Sequence, residues 1–260
     1  MPTASRMFIR RAIGPLHEAV AAERNELTDT RLALTLTFVA GAMNAGALVA
    51  VGQYTSHMSG IVSALADNLA LGAWVLALGG LGALASFIGG AAVSAALINW
   101  ARRHRAGAQY AMPLLLEAAL LGAFGLGGMA AGGTRAFALL AAPALCFVMG
   151  LQNATITKVS GARMRTTHVT GIVTDMGIEL GKLFYWNRSR DIVVPSVRAD
   201  RTKLRLLGGL LAAFALGGVL GALGFARFGF ATALPFALVL MALGCAPSIS
   251  AALSRGAQAR

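Results

Sequence analysis

Two histidines set in matching frames are the residues of this chain best suited to chemistry. Residues 56–62 read Ser-His-Met-Ser-Gly-Ile-Val, and residues 167–173 read Thr-His-Val-Thr-Gly-Ile-Val. The whole chain holds 4 histidines, so composition alone does not explain two of them, His57 and His168, falling in equivalent places. Imidazole changes charge close to neutral pH and can take and return a proton. Ser59 and Thr170 each precede a glycine and an apolar run, which makes them candidate N-caps of helices starting there. A helix that begins inside an apolar environment has N–H groups without partners and a partial positive charge, both of which favour an anion.

A second matched pair lies upstream of each histidine. Residues 38–45 read Phe-Val-Ala-Gly-Ala-Met-Asn-Ala and residues 147–154 read Phe-Val-Met-Gly-Leu-Gln-Asn-Ala. Asn44 and Asn153 therefore stand in equivalent positions, so the chain contains one unit twice. One reading gathers Asn44, His57, Ser59, Asn153, His168 and Thr170 around a polar cavity that binds a small solute, with histidine as a proton-coupling group. The other has these groups satisfy one another, capping helices and bridging packed spans.

Carboxylates form the next set. Asp67, Asp175 and Glu179 fall on two short helical segments and are candidates for ion or proton coupling; Glu117 falls inside a longer apolar run. Asp175 and Glu179 are four residues apart, hence on one helical face, where like charges repel unless a proton or a cation intervenes. Lys182 is positioned to be that cation, so an ion pair is the competing reading. The copies are not identical here: Asp67 aligns with Ile178, and Asn68 with Glu179.

Enzymatic chemistry finds little support. There is no His-Glu-x-x-His helix and no Gly-x-Ser-x-Gly elbow, and Cys146 and Cys245 sit singly in apolar runs. No catalytic residue, metal or cofactor is expected. The glycine clusters, such as Gly79-Gly80-Leu81-Gly82 and Gly217-Gly218, lie within apolar runs with no phosphate-loop ending. They read as surfaces for close packing of membrane helices, within one chain or in a homo-oligomer.

The elements that must position these residues follow from hydropathy. Of 260 residues 57% are hydrophobic and 12% charged, with mean hydropathy +0.70. That charge content is about half that of soluble domains. Runs at 32–52, 73–100, 112–131, 136–157, 204–226 and 231–253 are long enough to span a bilayer. The segments 58–71 and 168–185 look helical, but the first is short and the second carries three charges. Each charge at mid-bilayer costs about 2.5 to 3.5 kcal/mol. Both read as re-entrant helices that return to the side they came from.

Charge placement supports that topology. If neither short helix crosses, 20 of the 22 Lys and Arg lie on one side, the cytoplasmic side by the positive-inside rule, together with both termini. Crossing by both would carry six basic residues, in 101–111 and 158–167, to the other face. The net charge of +12 is accordingly topological, and nucleic acid is not an expected partner. Three crossings per copy, an odd number, insert the second copy upside down. The expectation is an all-α integral membrane protein: six transmembrane helices plus two short broken helices, as two inverted-topology repeats. The first repeat occupies 32–131 and the second 132–253. Residues 1–31 form a cytoplasmic tail without the apolar run of a signal peptide. An amphipathic face of Ile9, Ile13, Leu16 and Val20 there would suit the inner leaflet. Residues 186–203 form a basic loop attracted to anionic lipid, and 254–260 a cytoplasmic tail.

The pattern Phe-Val-x-Gly-x-x-Asn-Ala followed by Ser-His-Met-Ser-Gly-Ile-Val resembles the YoaK-like family of bacterial membrane proteins, over residues 32–253. Its most specific stretch is Tyr54 to Gly60, leading into Ala66-Asp67-Asn68-Leu69. The resemblance implies a multi-pass protein of the bacterial inner membrane and supplies no substrate, catalytic residue or cofactor. The expected partners are the lipid bilayer and a small solute. Inverted repeats with broken helices are common in secondary transporters, so a permease-like function for a small polar or anionic solute is the leading expectation. A structural, assembly or partner-binding membrane protein is the alternative.

Overall fold

The computed structural model describes residues 26–104, 109–131, 134–186 and 196–258. The amphipathic face expected at Ile9–Val20 and residues 187–195 of the basic loop 186–203 lie outside the described residues, and the loop's last three residues open the next long helix. All regular structure among those described is helical: α1 (Glu26–Val51), α2 (Met58–Ala70), α3 (Trp74–His104), α4 (Ala111–Ala131), α5 (Arg135–Val159), α6 (Val169–Phe184) and α7 (Arg201–Phe228). A 3-10 turn (Gly229–Thr232) leads into α8 (Ala233–Gln258). The expected elements are present with ends shifted by a few residues. The largest shift is at α1, which starts at Glu26; its polar first turn, with Glu26 and Asp29, suits the positive end of a helix. The last helix continues through 254–258, beyond the apolar run that marked it.

Five stretches are long and apolar enough to cross a membrane: Glu26–Val51, Trp74–His104, Ala111–Ala131, Ala136–Val159 and Arg201–Ala246. The fifth has 46 residues, about 69 Å if it were one straight helix. It is broken at Gly229, whose φ of 56° suits a residue without a Cβ. The chain turns back there: Gly217 of α7 abuts the Phe38 carbonyl, and Phe236 of α8 meets the Phe38 ring at 6.2 Å. Large apolar side chains face outward along these helices, among them Trp74, Val75, Leu139, Leu140 and Phe228, while Leu32, Leu36, Met43, Leu114, Met149 and Leu240 are buried inside. In water such exposure would be costly. It is compatible with a membrane location.

Glycine sets the tightest crossings. A Cβ at Gly41 would collide with the Phe214 carbonyl of α7, and one at Gly150 with the Phe87 carbonyl of α3. Gly217 stands in the same way against the Phe38 carbonyl, and Gly90 against that of Phe147. Gly41 and Gly150 are equivalent in the sequence repeat, as are Phe38 and Phe147. The α1–α7 and α3–α5 contacts are thus one crossing built twice, each with its helices running parallel. Not every glycine serves this purpose: nothing lies within 4 Å of where a Cβ would stand at Gly79 or Gly82.

Candidate functional site

Both short helices are positioned by an asparagine in the preceding long helix. Asn44 lies seven residues before the end of α1. Its Oδ1 accepts from the backbone N–H groups of Thr55 and Ser56, both at 3.0 Å. Those bonds draw the loop after α1 back about two helical turns, so α2 begins at the level of Asn44. Asn153 of α5 does the same for α6. Its Oδ1 accepts from the Thr166 hydroxyl at 3.0 Å and from the Thr167 N–H at 3.4 Å, while its amide nitrogen donates to the Thr167 hydroxyl. Two backbone donors fix which way the Asn44 amide points.

The N-caps differ from expectation. Ser59 and Thr170 were the candidates, but α2 and α6 start one residue before them, and His57 and His168 occupy the N-cap positions. Neither imidazole makes a capping hydrogen bond. Each ring instead lies over the first turn, where a Cβ at Gly60 would collide with His57 and one at Gly171 with His168. This is why glycine follows histidine at a spacing of three in both copies. Ser59 and Thr170 lie within the first turn.

These pieces border an open cavity of about 680 Å3 lined by Asn44, His57, Ser59, Asn153, His168 and Thr170, the six residues singled out for solute binding. The structure adds Ser56 and Thr167, which are equivalent in the repeat, and Tyr54 and Arg165, which occupy equivalent positions with different chemistry. Phe87 and Phe214 line it from α3 and α7. Sequence offered no signal for these two, since phenylalanine within an apolar span is unremarkable. Their backbones are the ones that press on Gly150 and Gly41.

The three carboxylates do not join them. Asp67 is exposed near the far end of α2 and forms no ion pair among the described residues. Asp175 pairs with Lys203 at 3.2 Å and lines a smaller cavity of about 280 Å3 that shares Arg165 and His168 with the larger one. Glu179 is buried; one oxygen meets Lys182 at 2.9 Å and the other accepts the Asp200 N–H at 2.8 Å. That backbone donor first, and the Lys182 ammonium next, hold its carboxyl below the usual 4.5. The cation expected at Lys182 is there, and Glu179 ties the end of α6 to the start of α7. Glu117 is fully buried in α4, its Oε1 accepting from Gln152 of α5 at 2.6 Å. No sequence signal pointed to Gln152.

Residues 32–246 match the family described as protein of unknown function DUF1275. The chain belongs to that family, and its helices, long and apolar enough by length and composition to cross a membrane, are compatible with a membrane location. No curated protein and no solved structure matches it.

Proposed function

We propose that the chain is a secondary transporter of the bacterial inner membrane, carrying a small polar or anionic solute through the central cavity. The observation that carries this reading is the cavity wall: three residues from each copy of the repeat, chosen for their chemistry, meet around one space. In this reading Arg201–Ala246 counts as two spans, giving six, with both termini cytoplasmic. The two copies sit in the membrane in opposite orientations. Support comes from the duplicated glycine crossings and from the lengths of α2 and α6, 13 and 16 residues. At about 20 and 24 Å these fall short of a hydrocarbon core of about 30 Å. Each short helix would start near the midplane and return to its own side, as in transporters built from inverted repeats. The chain would carry out no bond chemistry.

The alternative, a membrane protein that moves nothing, draws on the asparagines, whose Oδ1 atoms are fully used by their own loops. Uptake separates the two. Purified protein in lipid vesicles is offered labelled organic acids, amino acids and sugars, with and without a proton gradient. At least one should accumulate above protein-free vesicles, and His57→Gln with His168→Gln should abolish that uptake while folded yield is unchanged. Uptake that persists in the double variant would show that the cavity is not the route.

A further inference from the structure

Arg165 lines the central cavity and forms no ion pair among the described residues, and no carboxylate side chain lines that cavity. A guanidinium stays charged at any working pH. Exposed and in no ion pair of its own among the described residues, with Asp175 already paired to Lys203, it is a ready partner for an anion. The polar groups around it can all donate. His57, His168, Tyr54, Ser59, Thr170 and Asn44 line the same space, and the Asn44 amide nitrogen makes no hydrogen bond among the described residues. The first turns of α2 and α6 add N–H groups without partner carbonyls and the positive ends of two helix dipoles.

Volume and the phenylalanines say what kind of anion. About 680 Å3 lies within the range of about 300 to 1,000 Å3 typical of sites for organic ligands. Phe87 and Phe214 are wall residues whose backbones abut the glycine crossings, and their rings supply apolar surface. We infer that the cavity binds a soluble organic anion, its carboxylate- or sulfonate-type head at Arg165 and the helix N-termini and its apolar body against Phe87 and Phe214. Arg165 discriminates by charge, and it does so from one copy only, because Tyr54 stands at the equivalent place in the other. Arg165 and His168 also border the smaller cavity beside Asp175, so the charged contact lies where the two spaces adjoin. This inference rests on the transport reading for the direction of travel but not for binding.

The test uses the full-length protein in a neutral detergent, titrated calorimetrically with benzenesulfonate, hexanesulfonate, benzenesulfonamide, benzyltrimethylammonium and sulfate. At least one of the two organic sulfonates should bind at least tenfold more tightly than the amide, the cation and sulfate. Arg165→Gln should weaken it at least tenfold with an unchanged thermal midpoint, and Arg165→Lys should recover part of the loss. Equal binding of the amide or the cation, indifference to Arg165→Gln, or no sulfonate binding at all would overturn the inference. Binding at sulfate's affinity would remove the apolar body from it. Uptake into phosphatidylcholine vesicles, where the probe is the only organic anion, separates this inference from the reading beneath it. Binding without uptake sinks transport and leaves the anion site standing, whereas uptake of a neutral or cationic solute alone does the reverse.

Discussion

The two short helices share a frame and differ in how they are fastened. In each, an asparagine one or two turns from the end of a long helix draws the loop back, a histidine takes the N-cap, and a glycine three residues on makes room for its ring. The far ends are not alike. α6 is tied down by Glu179, through Lys182 and the Asp200 N–H, and by the Asp175–Lys203 pair. The loop before it adds Arg163 to Glu26 at 2.7 Å. At α2, Asn68 replaces Glu179, Ile178 of α6 faces Asp67 in the alignment, and Asp67 has no ion pair among the described residues. The start of each short helix is thus specified by backbone-directed polar contacts in both copies, while the charged anchoring is specified in one.

The largest effects come from breaking what the halves share. Gly41→Leu and Gly150→Leu each drive a side chain into a backbone carbonyl, which overpacking puts at about 3 kcal/mol or more. Both should lose most folded protein on size exclusion, to a similar degree, because the crossings are equivalent. A tolerated substitution at one but not the other would break the equivalence.

Next are the asparagines. Asn44→Ala strands two backbone donors, at Thr55 and Ser56, both buried. Asn153→Ala strands one backbone donor, at the half-buried Thr167, and frees threonine hydroxyls that can turn elsewhere. Leaving buried donors unpaired costs about 1–3 kcal/mol each. The thermal midpoint should fall further for Asn44→Ala than for Asn153→Ala.

The pH dependence of anchoring is smaller and sharpens the contrast. Because Glu179 is held below the usual 4.5 in the folded chain, it favours the unfolded state as the proton acceptor. Its contribution is present above about pH 4.5 and is lost as pH falls through its folded value. Thermal midpoints between pH 6 and 3 should show an acid-side loss that Glu179→Gln reduces.

Much of this was legible in sequence because histidine and asparagine are rare in apolar runs, so their recurrence at fixed offsets stands out. Hydropathy located the long helices, and length with charge marked the short ones. Other features were not legible for specific reasons. Serine and threonine are the usual N-caps, yet with Asn44 and Asn153 holding the preceding backbone the N-cap falls two residues earlier, on the histidine. Phe87 and Phe214 are defined by the glycines they press against on other helices, and no local pattern carries that. Asp175 and Glu179 suited ion coupling by spacing, but Lys203 and the Asp200 N–H reach them only once α7 folds back along α6.

The central claim is that α2 and α6 start inside the bilayer and return to opposite sides. Cysteine accessibility tests it most directly, in a chain whose Cys146 and Cys245 are replaced by alanine. Single cysteines at Leu71, which is 81% exposed just beyond α2, and at Ala162, exposed in the loop before α6, are treated in intact cells with a membrane-impermeant maleimide. The account predicts labelling at 71 from outside, and at 162 only after the cells are opened. The reverse pattern would mean that the short helices cross the membrane, and the two-sided central cavity would go with it.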